Sequence, residues 1–77
     1  MATHYSPAAN IPGFDRVPAA ELVPGSGIFF ERFGTVESIG EPYTEARVRY
    51  VQFVYADGRG LRHRRTVPAS AGIQVRH

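Results

Sequence analysis

The sequence predicts an all-β domain of short antiparallel strands, and two observations carry that prediction. In the run from Ala46 to Pro68, Val48, Tyr50, Val51, Phe53, Val54 and Tyr55 are β-branched or aromatic, which suits a pleated, half-buried surface and disfavours a helix. The run is broken by Ala56-Asp57-Gly58, a strong short-range hairpin signal because glycine adopts the positive φ that a chain reversal requires.

Two registers suit that hairpin. A two-residue Asp57-Gly58 loop pairs Val54 with Leu61, whereas a type I turn through Ala56-Asp57 with Gly58 as a left-handed bulge residue pairs Phe53 with Leu61. The second is preferred, because it gathers Val51, Phe53, Tyr55, Leu61 and Val67 on one face and leaves Gln52, Arg62, Arg64 and Thr66 on the other. Val48, Tyr50 and Val54 share that second face, so the strand is apolar on both sides and should bend or be covered.

Before the hairpin, Met1 to Arg16 has no periodicity and contains Pro7, Pro12 and Gly13, the pattern of an extended arm. Tyr5, Ile11 and Phe14 are spaced as anchors, either for the arm's own domain or for a partner. Residues 17–77 form the domain proper. Val17 to Val23 predicts one short helical turn with Pro18 at its first position, and Pro24-Gly25 a tight turn. Ile28 to Phe33 reads as the first strand, Gly34 as a bulge or sharp bend, and Thr35 to Ile39 as the second. Gly40 to Glu45 reads as a polar loop, and the simplest role for its acids is a pairing of Glu41 or Glu45 with Arg47 or Arg49. Pro68 to Ala71 reads as a 3₁₀-like connector, and Ile73 to Val75 as a last strand.

The tally is five strands with a connector before the last. Leu22, Pro24, Gly25, Ile28, Gly34, Val36, Phe53, Asp57, Gly58, Leu61, Val67, Pro68 and Ala69 carry a likeness: the chain resembles the SH3-like small β-barrels over Leu22 to Val75. It also resembles small Arg-rich proteins of actinobacteria and their phages. The resemblance implies a five-stranded small barrel and a binding or assembly role; it implies no single partner, since such barrels serve peptide, RNA and DNA binding and virion assembly. Polyproline recognition of the eukaryotic type fits poorly, because the chain has no Trp.

At 77 residues the chain is one domain, and such a domain buries only roughly 60% of the surface that its unfolded chain exposes. There is no Cys for a disulfide or a thiolate metal site, and His4, His63 and His77 lack metal-ligand spacing. No serine has a His and an acid in motif context, and no Lys is present to serve a phosphate loop. These absences point away from an enzyme and from a metal or cofactor. With no apolar run approaching the roughly 20 residues of a membrane span, the expected location is cytoplasmic, in the bacterial host if phage-encoded.

The net charge is +2, and all nine cationic residues are Arg, which binds phosphate, carboxylate and aromatic faces better than Lys. Arg47, Arg49, Arg59, Arg62 and Arg64 cluster around the hairpin beside Tyr50. Guanidinium groups next to a ring suit phosphate tracking and base stacking, so the partner expected is nucleic acid or an acidic protein surface. An Arg-rich strand also serves simply as a charged sheet edge. The rival reading is a protein-interaction or assembly component, a homodimer or larger assembly that docks through the arm (Tyr5, Ile11, Phe14) and the apolar face of Val48, Tyr50 and Val54.

Overall fold

The computed structural model describes residues 11–77. Seven strands follow in chain order: β1 (Phe14–Pro18), β2 (Gly27–Phe30), β3 (Arg32–Ile39), β4 (Tyr43–Glu45), β5 (Val48–Asp57), β6 (Arg62–Pro68) and β7 (Gly72–Arg76), with one 3₁₀ turn at Ala19–Glu21. The all-β class and the short helical turn are therefore present, but there are seven strands rather than five. The additions are β1, which occupies the end of the expected arm, and β4, which forms inside the expected polar loop.

All seven strands belong to one antiparallel sheet that runs β1-β7-β2-β3-β5. Strands β3 and β4 share one edge of β5, at Phe53 to Asp57 and Val48 to Tyr50 respectively, and β6 takes the other edge. Among the described residues the ladder does not close on itself: β6 pairs only with β5, and β1 only with β7. Among the described residues no helix is long and apolar enough to cross a membrane.

Side chains tie β5 and β6 to the β2–β3 apex. The Tyr55 hydroxyl lies 2.9 Å from the Phe30 carbonyl and 3.0 Å from the Glu31 carboxylate, and donates to these oxygens at the apex between β2 and β3. From β6, Arg65 Nε donates to the same carboxylate at 2.9 Å. Beneath this bridge Leu22, Ile28, Val36, Val51, Phe53, Tyr55, Val67 and Ile73 form one apolar core with Ala19. Their alternation along each strand is the period of two that places successive side chains on opposite faces.

The reversal that the sequence places at Gly34 lies instead at Glu31. Phe29 pairs with Phe33 and Phe30 with Arg32, so Ile28 to Phe33 is not one strand but the tip of a hairpin with a single residue at its apex, Glu31, at φ 67°. Gly34 serves a different purpose, close approach: a Cβ there would lie 2.6 Å from the Ala56 carbonyl oxygen and 2.6 Å from the Tyr55 ring.

Two other turns match their expected chemistry. Val23-Pro24-Gly25-Ser26 closes with a 3.2 Å bond from the Ser26 amide to the Val23 carbonyl, with Gly25 at φ 93°. Pro68 to Ala71 closes with one 2.9 Å bond between its end residues. Pro18, however, flanks the 3₁₀ turn in an extended conformation and ends β1, instead of opening the helix.

Candidate nucleic-acid interface

Hairpin β5–β6 adopts neither register considered above. Val51 faces Val67, Phe53 faces Arg65 and Tyr55 faces His63, which brings Asp57 opposite Leu61, with the Asp57 amide bonded to the Leu61 carbonyl at 2.9 Å. The loop is Gly58-Arg59-Gly60, closed by the Gly60 amide on the Asp57 carbonyl, and the left-handed bulge residue is Gly60, at φ 82°. The turn type is the one preferred, displaced towards the C-terminus. Because the register changes by an even number, the two faces keep their membership. Leu61 is the exception: on the core-side face but past its end, it is 58% exposed and outside the core.

On the outer face, β5 presents Val48, Tyr50, Gln52 and Val54, and β6 presents Arg62, Arg64 and Thr66. Tyr43 of β4 faces Tyr50, with ring centroids 5.8 Å apart, so the outer face carries an aromatic pair, of which Tyr43 is 44% exposed. Gln52 Nε2 donates to the Thr66 hydroxyl at 3.3 Å. Arg64 stands opposite Val54 and Arg62 opposite Ala56, so at about 3.4 Å per residue the guanidinium row starts about 14 Å along β5 from Tyr50. The row and the ring share one face but do not touch.

The arginines differ in what already holds them. Arg62 is paired with Glu37, and Arg65, on the core-side face, with Glu31. That guanidinium holds the Glu31 carboxyl below the usual carboxylate range. Among the described residues Arg47, Arg49, Arg59 and Arg64 make no ion pair, and the expected pairing of Glu41 or Glu45 with Arg47 or Arg49 does not form. Arg47 sits in the two-residue β4–β5 turn with Ala46, both at positive φ (67° and 52°). Arg49 pairs with Thr44 on β4, and Arg59 is at the tip of the β5–β6 loop.

Of the anchors expected in the arm, Phe14 is buried in β1, with its ring 5.9 Å from Phe33 and the Arg76 guanidinium 5.2 Å from its centroid. Ile11 is half-buried, and Tyr5 lies outside the described residues. Phe14 thus packs on its own domain.

A second cluster, at the tip of β5–β6, is absent from the sequence expectations. His63 stacks on Tyr55 (5.0 Å), and its Nε2 is 2.8 Å from Asp57 Oδ2. With Nε2–H donated to Asp57, Nδ1 is left to accept from Arg32 Nη1 at 3.1 Å. The other Asp57 oxygen accepts the amides of Arg59 (2.8 Å) and Leu61 (3.0 Å). The bond from His63, helped by these amides, holds the Asp57 carboxyl down at about 2. A carboxylate with a depressed folded-state value stabilises the fold above its unfolded value of about 3.9, and that contribution is lost as pH falls through about 2. Carboxyl-carbon NMR of the folded protein is accordingly expected to show Asp57 titrating near 2 and, in His63→Leu, moving back towards an ordinary aspartate. An unchanged Asp57 in that variant would contradict the assignment.

Arg32, Phe33, Asp57, Arg59, Leu61 and His63 line an open groove of about 400 Å³ beside this cluster. Among the described residues no group of three or more His, Cys, Asp or Glu is placed to hold a metal ion. No protein-family model and no curated protein matches the chain.

Proposed function

We propose that the protein is a non-enzymatic binding module that contacts nucleic acid through the outer face of the β5–β6 hairpin. The observation that carries this reading is the outer face itself, where Arg64, free of any ion pair among the described residues, shares a surface with the exposed Tyr43 and the half-buried Tyr50 packed beside it. Arg47, Arg49 and Arg59, equally unpaired, extend the positive field to both ends of β5. Arg62 contributes less, because it must leave Glu37 before it can neutralise a phosphate. Such sites combine cations that track the backbone with rings on which bases stack.

We further propose that the fold is of the SH3-like small-barrel type. Its support is the succession β2, β3, β5, β6 and β7 with the Pro68 to Ala71 connector before the last strand, together with the Tyr55 and Arg65 contacts that tie β5 and β6 to the β2–β3 apex. A second reading, an assembly component docking through an apolar face, draws on Val48 and Tyr43, exposed side by side at one end of the outer face.

Fluorescence anisotropy with short labelled oligonucleotides, at low and physiological salt, tests the first reading. Binding is expected to weaken steeply with salt, and Arg64→Ala to reduce the log–log salt slope by about 1, with a smaller change for Arg62→Ala. Salt-insensitive binding, or an Arg62/Arg64 double alanine variant of unchanged affinity, rejects it. A stable dimer with no oligonucleotide binding favours the assembly reading.

A further inference from the structure

Phe33 is the least expected surface residue of this fold. It is 52% exposed, yet its ring is held edge-on by Phe29 at 4.8 Å and packed on Phe14 at 5.9 Å, so one aromatic edge is fixed from beneath while the rest meets solvent. It forms one wall of the groove at the hairpin tip, with Leu61, 58% exposed, also lining it. Arg32 and Arg59 complete the rim. The one acid in the groove, Asp57, already has both carboxylate oxygens engaged, by His63 and by the amides of Arg59 and Leu61. Its oxygens are therefore satisfied within the protein, whereas the Arg59 guanidinium makes no ion pair among the described residues.

We infer that this groove takes a single unstacked base of single-stranded nucleic acid, with the base against Phe33 and its flanking phosphates on Arg59 and Arg32. The inference rests on the nucleic-acid reading and specifies its partner. Arg59, at the loop tip, stands between the two surfaces: Arg62 and Arg64 begin the cationic row on the outer face, and Arg59 leads it round the tip into the groove. A ring immobilised before binding loses little freedom on stacking, and every base offers a π-face, so such a platform is indifferent to sequence. A base paired in a duplex has both faces covered by its neighbours and does not enter. The groove therefore selects single strands, while the outer face alone binds either form.

The test compares a labelled single-stranded 12-mer with its duplex at low salt, using the intact protein and Phe33→Leu, Phe33→Tyr and Arg64→Ala variants. Phe33→Leu keeps an apolar side chain against Phe29 and is expected to lose about 5- to 150-fold in affinity for the single strand, the equivalent of one base–aromatic stack, with duplex affinity unchanged. Phe33→Tyr is expected to retain single-strand affinity. Thermal unfolding of each variant verifies the fold, and amide shifts at Arg32, Phe33, Gly58 and Leu61 on titration with the 12-mer locate the contact.

If Phe33→Leu binds the single strand as tightly as the intact protein while Arg64→Ala weakens both forms, the groove inference fails and the outer-face reading stands. If neither oligonucleotide binds, both fail. If an acidic peptide shifts the same amides and loses affinity in Phe33→Leu while oligonucleotides do not, the occupant is an acidic protein segment and the base assignment is overturned.

Discussion

Replacing Gly34 by alanine is expected to lower the midpoint of thermal unfolding by about 10–20 °C, equivalent to about 2–3 kcal/mol in a domain of this size. The added methyl would sit 2.6 Å from the Ala56 carbonyl oxygen and 2.6 Å from Tyr55 Cδ2. Neither neighbour can yield cheaply. The carbonyl belongs to the central strand β5, and the Tyr55 ring is wholly buried and tied through its hydroxyl to the β2–β3 apex. Gly40→Ala is the control, because the nearest atom to its added methyl is 3.4 Å away, at ordinary contact distance. Calorimetry or circular dichroism of the two variants side by side checks the expectation, and equal melting points would refute it.

Tyr55→Phe is expected to cost about 2 kcal/mol, although it removes a single oxygen. The loss leaves the Phe30 carbonyl without its Tyr55 donor and removes one of the two donors to Glu31. A domain of 77 residues is held by only roughly 4–12 kcal/mol in total, so the change is a sizeable share. Urea unfolding measures it, and a double-mutant cycle with Glu31→Ala isolates the part that runs through the carboxylate. Strictly additive single-variant effects would show that Tyr55 and Glu31 stabilise the fold independently.

The elements that sequence reasoning recovers are those whose residues state one preference. The run from Val48 to Tyr55 is β-branched or aromatic at most positions and becomes the strand that three others pair with. Val23-Pro24-Gly25-Ser26 carries proline and glycine where its turn needs them. The hairpin tip offers two glycines, Gly58 and Gly60, two positions apart, and either suits the left-handed residue. The faces therefore come out correctly while the register does not.

What stays hidden lacks punctuation. The reversal at Glu31 and the turn at Ala46-Arg47 place ordinary side chains at positive φ, where glycine or asparagine is the usual signal, so β4 and the β2–β3 hairpin leave no trace in composition. The reversal at Glu31 sets Phe33 directly across from Phe29, a pairing that one continuous strand does not give. The Asp57, His63 and Arg32 cluster depends on register, since Tyr55 must face His63 for the imidazole to reach Asp57. The outer-face row of Arg62 and Arg64 is legible because a face assignment needs only parity.

Among the described residues no strand pairs with the side of β6 away from β5, and this has a consequence for the protein in bulk. The bonds from the Asp57 amide to the Leu61 carbonyl and from the Ala69 amide to the Arg49 carbonyl fix the alternation, so the backbone groups of Arg62, Arg64 and Thr66 point away from β5. A bare strand edge of that kind invites a second molecule to add its own strand and begin a fibril. Here the Arg64 carbonyl is already taken by Arg65 Nη1 at 2.9 Å. A second strand approaching that edge would find this acceptor occupied. At that edge the Arg65 side chain thus takes the place that the amide of an incoming strand would fill.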